Sequence, residues 1–335
     1  MRFSHARRSA VQALAVLALA ALPALLAPPA RSAPADILKA VVGVRAEVPG
    51  DARTAETLGT ERRGTGIVID SSGLVLTIGY VVVEASGVRV RTGDGRDVPA
   101  EPVAYDHETG FGLVRATAPL AVKAMPLGSS RGVELGDPLL LVSQSKGPAA
   151  IQAKLVDRRE FAGYWEYLLP DAMFTAPPLP EFAGAALIDR EGRLVGVGSL
   201  LVGDANGPGI PSPGNMFVPI DALKPVLGDM LALGRPGRPG HPWLGMTTRE
   251  VGGHLVVAGV SAEGPAARAG LGAGDILIGV GDQGVTGLAD LYRKIWARGD
   301  AGVTVPLRVL RPNGIVELPV ASIDRLRWLR LQRSF

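Results

Sequence analysis

The chain has no cysteine, which removes disulfides, thiol nucleophiles and thiolate metal sites together. Histidine is scarce: His5, His107, His241 and His254 are the only four, and no pair has metal-ligand spacing. No metal and no other cofactor is therefore expected. Aromatic residues make up 5% of the chain, and none occurs between Asp36 and Gly79. A basic stripe interleaved with aromatics is also missing, so nucleic acid is not an expected partner.

The one long uncharged run, Ser9 to Ala30, lies at the start. Arg2, Arg7 and Arg8 precede or border it, and Ala33-Pro34-Ala35 follows as a small-x-small cleavage site. Residues 1–35 thus read as a secretory signal peptide. An uncleaved inner-membrane anchor is the alternative, opposed by Pro23, Pro28 and Pro29 within the run. Export to the periplasm is the expectation. Residues 1–35 hold four Arg and no acidic residue, so their removal takes the formal net charge from +3 to −1. The precursor's basic balance says nothing about the mature partner.

What remains is globular. A chain of 335 residues suits two folded domains, and 44 Gly with 27 Pro favour short strands and turns over long helices. Short apolar runs flank Asp70-Ser71-Ser72-Gly73 and again Asp189-Arg190-Glu191-Gly192, each reading as a β-hairpin. One such hairpin in each half would suit two similar β-barrels. A Gly/Pro-rich linker is expected over 229–241, because Leu233-Gly234-Arg235-Pro236-Gly237 and its continuation to Pro242 hold neither helix nor ladder. Beyond it, Gly264 to Leu271 reads as a short helix. Thr286 is expected to cap a second helix carrying Leu288, Leu291, Tyr292, Ile295 and Trp296 on one face.

Gly64-Thr65-Gly66-Ile67-Val68-Ile69-Asp70 through Thr77 resembles the opening of the protease domain of HtrA/DegP-type serine proteases. The resemblance implies a mainly β chain: a trypsin-like double β-barrel over 36–228, then an α/β PDZ domain over 242–324 and a basic tail over 325–335. In that family the first motif continues through the histidine base, and here Tyr80 stands in its place. Val103-Ala104-Tyr105-Asp106-His107-Glu108-Thr109-Gly110 resembles the segment of the orienting aspartate, with Gly110 at its position. Glu181-Phe182-Ala183-Gly184-Ala185 resembles the nucleophile loop, with Ala183 replacing serine. Alanine offers no nucleophile, tyrosine is a poor base near neutrality, and glycine orients nothing. Glu181 would also set a carboxylate against a developing oxyanion.

The resemblance therefore implies a pseudoprotease without catalytic residues. An active endopeptidase using other groups, and a structural envelope protein, remain alternatives. His107, between Asp106 and Glu108, is read as a charged residue on an exposed loop. Trp243-Leu244-Gly245-Met246 resembles the PDZ carboxylate-binding loop, and Leu291 and Ile295 are candidates to line the groove or to be core. The implied partners are protein or peptide C-termini and an active relative of the same family. The tail offers membrane contact, a terminal carboxylate at Phe335, or a loose end. With no early aromatics, the trimer common in the family is not implied, and the oligomeric state stays open.

Overall fold

The computed structural model describes residues 34–331; residues 1–33 of the expected signal segment, and Phe335, lie outside them. Among the described residues no helix is long and apolar enough to cross a membrane.

After helix α1 (Pro34–Leu38), six strands close the first barrel: β1 (Val41–Glu47), β2 (Glu61–Val68), β3 (Leu74–Ile78), β4 (Gly87–Arg91), β5 (Asp97–Tyr105) and β6 (Phe111–Ala116). A short helix α2 (Ala55–Leu58) bridges β1 and β2. The second barrel comprises β7 (Pro138–Ser143), β8 (Ala149–Gly163), β9 (Tyr167–Ala176), β10 (Ala186–Ile188), β11 (Leu194–Val202) and β12 (Gly214–Pro219). The first runs β1-β2-β3-β6-β5-β4 and the second closes in the same order, β7-β8-β9-β12-β11-β10. The two-barrel expectation holds, though for a different reason from the one the sequence suggested. The matched hairpins β2–β3 and β10–β11 are not equivalent in this repeat. The counterpart of β2–β3 is β8–β9, whose tip has quite different residues.

Closure follows from composition. β3 and β12 are buried along their whole length, as Val, Leu, Ile, Met and Phe in a doubly covered strand should be. One core fills the first barrel and extends into the second, and a smaller one around Leu141, Leu155, Met173, Leu187 and Phe217 fills the rest.

Helix α3 (Leu227–Leu233) follows the second barrel and ends at Gly234, whose φ of 71° makes a left-handed cap. Residues 229–233, expected to be linker, are therefore helical, because Leu227 and Met230 find an apolar surface to cover. The C-terminal sheet has the order β13-β14-β15-β17-β18, from β13 (Met246–Val251), β14 (His254–Val260), β15 (Ile276–Val280), β17 (Thr304–Arg311) and β18 (Gly314–Ala321), with β16 (Gln283–Gly284) beside β15. Helices α4 (Pro265–Arg268) and α5 (Leu288–Trp296) cover it. Gly287, not Thr286, is the N-cap of α5; Thr286 instead donates to the Asp290 carboxylate.

The tail is not a loose end up to Leu331. Helix α6 (Arg325–Trp328) is capped by Asp324, and the next residues dock on the first barrel. The Arg330 amide donates to buried Glu84 (2.6 Å), and the Arg53 guanidinium lies 4.0 Å over the Trp328 ring. Glu84 also receives the Thr54 amide at 2.8 Å. That carboxylate gathers donors from two distant segments, which the short apolar tail pattern did not reveal.

Candidate functional site

Two places concentrate the residues singled out from the sequence. The first is the cleft between the barrels. Tyr80, in a short 3-10 turn after β3, donates its hydroxyl to the Ser199 carbonyl on β11 at 2.8 Å. Ser199 sits at a register shift in the β11–β12 ladder, which leaves its carbonyl free to accept. Burial pushes the Tyr80 phenol well above its usual range, so its proton stays on oxygen. A group whose lone proton is committed to a carbonyl cannot serve as a base at neutral pH.

Gly110 sits behind this turn: the Gly79 amide donates to its carbonyl at 2.6 Å, and its φ of 85° is left-handed. Ala183 lies on the opposite wall, its carbonyl accepting the Thr65 amide at 2.8 Å. Gly184 (φ 73°) donates to the Gly198 carbonyl, and a Cβ on Gly184 would stand 2.0 Å from the Thr65 carbonyl oxygen. The barrels thus meet through backbone at the loop around Ala183. The hydroxyls beneath, Thr65 and Ser143, are fully buried and bonded to each other at 2.8 Å.

Neither described histidine in the barrel–linker region serves them. Instead of lying on an exposed loop, His107 is half-buried, and burial drops its imidazole to about 3, helped by Arg325, His241 and Arg238. It is neutral, contrary to the charged form expected from its acidic neighbours. His241 stacks on Trp296 at 4.3 Å, its Nδ1 3.6 Å from Glu108, beyond hydrogen-bond range. His254 is exposed on β14.

The second place is the loop before β13. Gly245 adopts φ 77°, which turns successive amides to one side. The amides of Leu244, Gly245 and Met246 donate to one carboxylate at 2.8, 2.7 and 2.9 Å. That carboxylate is Glu166, from the tip of the β8–β9 hairpin. Leu244, Met246, Leu291 and Ile295 turn their side chains into the C-terminal core, while Trp243 packs beside Trp328. Among the expected groove residues, the loop backbone and not the apolar side chains does the polar work. Tyr292, expected only as a helix-face residue, accepts the Glu166 amide (3.2 Å) and donates to the Gly163 carbonyl (2.8 Å). Glu166 itself had no local signal beyond its place in an aromatic hairpin tip.

Comparison with known proteins fits this architecture. Residues 64–197 match the model of a trypsin-like peptidase domain and residues 242–321 that of a PDZ domain. The molecule has a trypsin-like fold followed by a PDZ domain, mainly β, in an arrangement similar to that of HtrA/DegP-type proteases.

Among curated proteins it is 28% identical over 296 residues to the putative serine protease HhoA of Synechocystis sp., covering 78% of this chain and 70% of that one. It is 26% identical over 272 residues to a probable periplasmic serine endoprotease, DegP-like, of Pseudomonas putida, covering 75% and 53%. The chain thus spans about half the length of that relative. Among solved structures, the HtrA-type protease AlgW with tripeptide superposes with a TM-score of 0.52 at 23% identity, over 90% of this chain and 98% of that one. The serine endoprotease from Yersinia pestis gives 0.52 at 21%, over 88% and 98%. At these identities the structural likeness speaks for the fold alone.

Proposed function

We propose that this chain is an exported, non-catalytic relative of HtrA-type proteases, whose PDZ domain binds C-terminal or extended segments of envelope proteins. It would act as an adaptor, a holdase or a regulator of an active relative. The observation that carries the reading is the trio of amides at Leu244, Gly245 and Met246, a donor set shaped for one carboxylate. β13 is an edge strand whose only strand partner is β14, the kind of edge to which extended peptides add. The expected triad positions hold Ala183, Gly110 and a phenol bonded to a carbonyl, none of them a nucleophile or base, which supports the loss of hydrolysis. The names of the relatives suggest export to the periplasm and also keep proteolysis as the second reading.

The test is binding of residues 36–335 to a random peptide pool with free C-termini, against the same pool amidated. Selective capture of the free-carboxylate pool supports the PDZ reading. Capture indifferent to amidation rejects it. Hydrolysis of any pool member would restore the endopeptidase reading.

A further inference from the structure

The β8–β9 tip enters the groove that the proposed function requires. Its strands supply Ala162 and Leu168 to the PDZ core cluster, and the turn Tyr164-Trp165-Glu166 lies between edge strand β13 and helix α5. At the β13 edge, the Thr248 amide donates to the Tyr164 carbonyl at 2.9 Å. Two residues further on, the Glu166 carboxylate takes the amides of Leu244, Gly245 and Met246. A strand added to an edge repeats every second residue, so this spacing is that of an added ligand strand ending in a carboxylate. From the other wall, Tyr292 clamps the Gly163 carbonyl and the Glu166 amide, and Arg293 pairs with Glu160. Arg249 lies 5.3 Å over the Tyr164 ring.

An independent observation concerns the backbone. Glu166 closes the turn with φ 59°, a left-handed position that favours glycine. It is also buried to 5% exposure. A long acidic side chain that is both conformationally disfavoured and desolvated is explained by what its carboxylate does in the nest. Burial raises that carboxyl to about 6, while the three amides and Arg325 pull it down.

We propose that the hairpin tip Gly163–Glu166 is a tethered pseudo-ligand, the Glu166 side-chain carboxylate filling the nest that a partner's C-terminal carboxylate would need. The inference rests on the PDZ-groove reading above. A free-ended peptide then binds only by displacing the tip. Because the tip belongs to the second barrel, each binding event releases β8–β9 from the PDZ domain.

Two variants of the mature chain test this. Glu166→Gly removes the carboxylate and suits the left-handed turn, so the barrel should stay folded. Glu166→Gln keeps the side-chain length without the charge. Amide hydrogen exchange at Leu244, Gly245 and Met246 is expected to rise at least tenfold in Glu166→Gly, with Glu166→Gln between it and the parent. Unchanged exchange would overturn the pseudo-ligand, whatever peptides do.

The free-carboxylate peptide pool is then titrated against all three proteins. At least tenfold tighter binding to Glu166→Gly, lost on amidation, supports displacement, and equal affinity in parent and variant overturns it. Faster exchange with no binding by any protein upholds the tethered tip and rejects the peptide-binding reading instead.

Discussion

At Tyr80 a single hydrogen bond ties the two barrels together across their cleft. Its hydroxyl joins the first barrel to Ser199 on the second; Ser199 is buried and Tyr80 partly so. Tyr80→Phe should destabilise the fold by about 1–3 kcal/mol, since the Ser199 carbonyl would be left buried without its donor. Urea unfolding measures this, and a change under half of that would mean water replaces the phenol. Ala183→Ser is expected to leave a serine-reactive fluorophosphonate probe unincorporated, because no base stands ready to take the new proton. Labelling of the parent would return the endopeptidase reading, and labelling of the variant alone would mean that a base lies within reach of residue 183. Gly184 is a harder constraint. Its positive φ and the 2.0 Å approach of the Thr65 carbonyl oppose any side chain. Gly184→Ala should cost several kcal/mol and lower the Tm by more than 5 °C, read by calorimetry.

The β8–β9 hairpin is where elements of different domains share one chemistry. Docking buries the Glu166 carboxyl and lifts it from 4.5 to about 6. The docked tip therefore holds a proton more tightly than the free tip does. Docking is strongest below pH 4.5 and weakens as pH rises through 6, so peptide affinity should rise across that window by on the order of tenfold and level off above it.

Other groups face the same region. Tyr292 on α5 stays protonated because burial raises its phenol, and His107 stays neutral throughout. Arg325 on α6 contributes a constant positive charge. Glu108 is raised as well by burial, beside Arg238 and His241, so Glu166→Gln is the control. A pH profile by fluorescence titration that survives that substitution would assign the effect to Glu108.

Over the whole molecule, the tail ties the PDZ domain back to the first barrel. Asp324 caps α6 and pairs with Arg235, Trp328 lies between Trp243 and Arg53, and Arg330 reaches Glu84 and Asp51. Ending the chain at Asp324 would leave Glu84 with fewer donors and uncover Trp243. A loss of about 2 kcal/mol is expected, with limited proteolysis then cutting near Gly234–Gly240 before the barrels. Equal protease resistance would mean the tail is dispensable.

Much of this architecture was legible along the chain because it depends on local regularities. Alternating and continuous apolar runs and turn glycines mark strands and turns without reference to distant residues. The boundary at 229 failed by a few residues because α3 is held by tertiary burial of Met230, not by its own propensity. His107 departs from its sequence expectation for a similar reason: its charge is set by burial and by Arg325, His241 and Arg238, all far along the chain. The occupied groove could be decided only in three dimensions. Glu166 lies 79 residues before Gly245, and nothing in either segment marks the other. The pairing exists because the second barrel holds one hairpin against a sheet edge, where three amides face inward and need an acceptor.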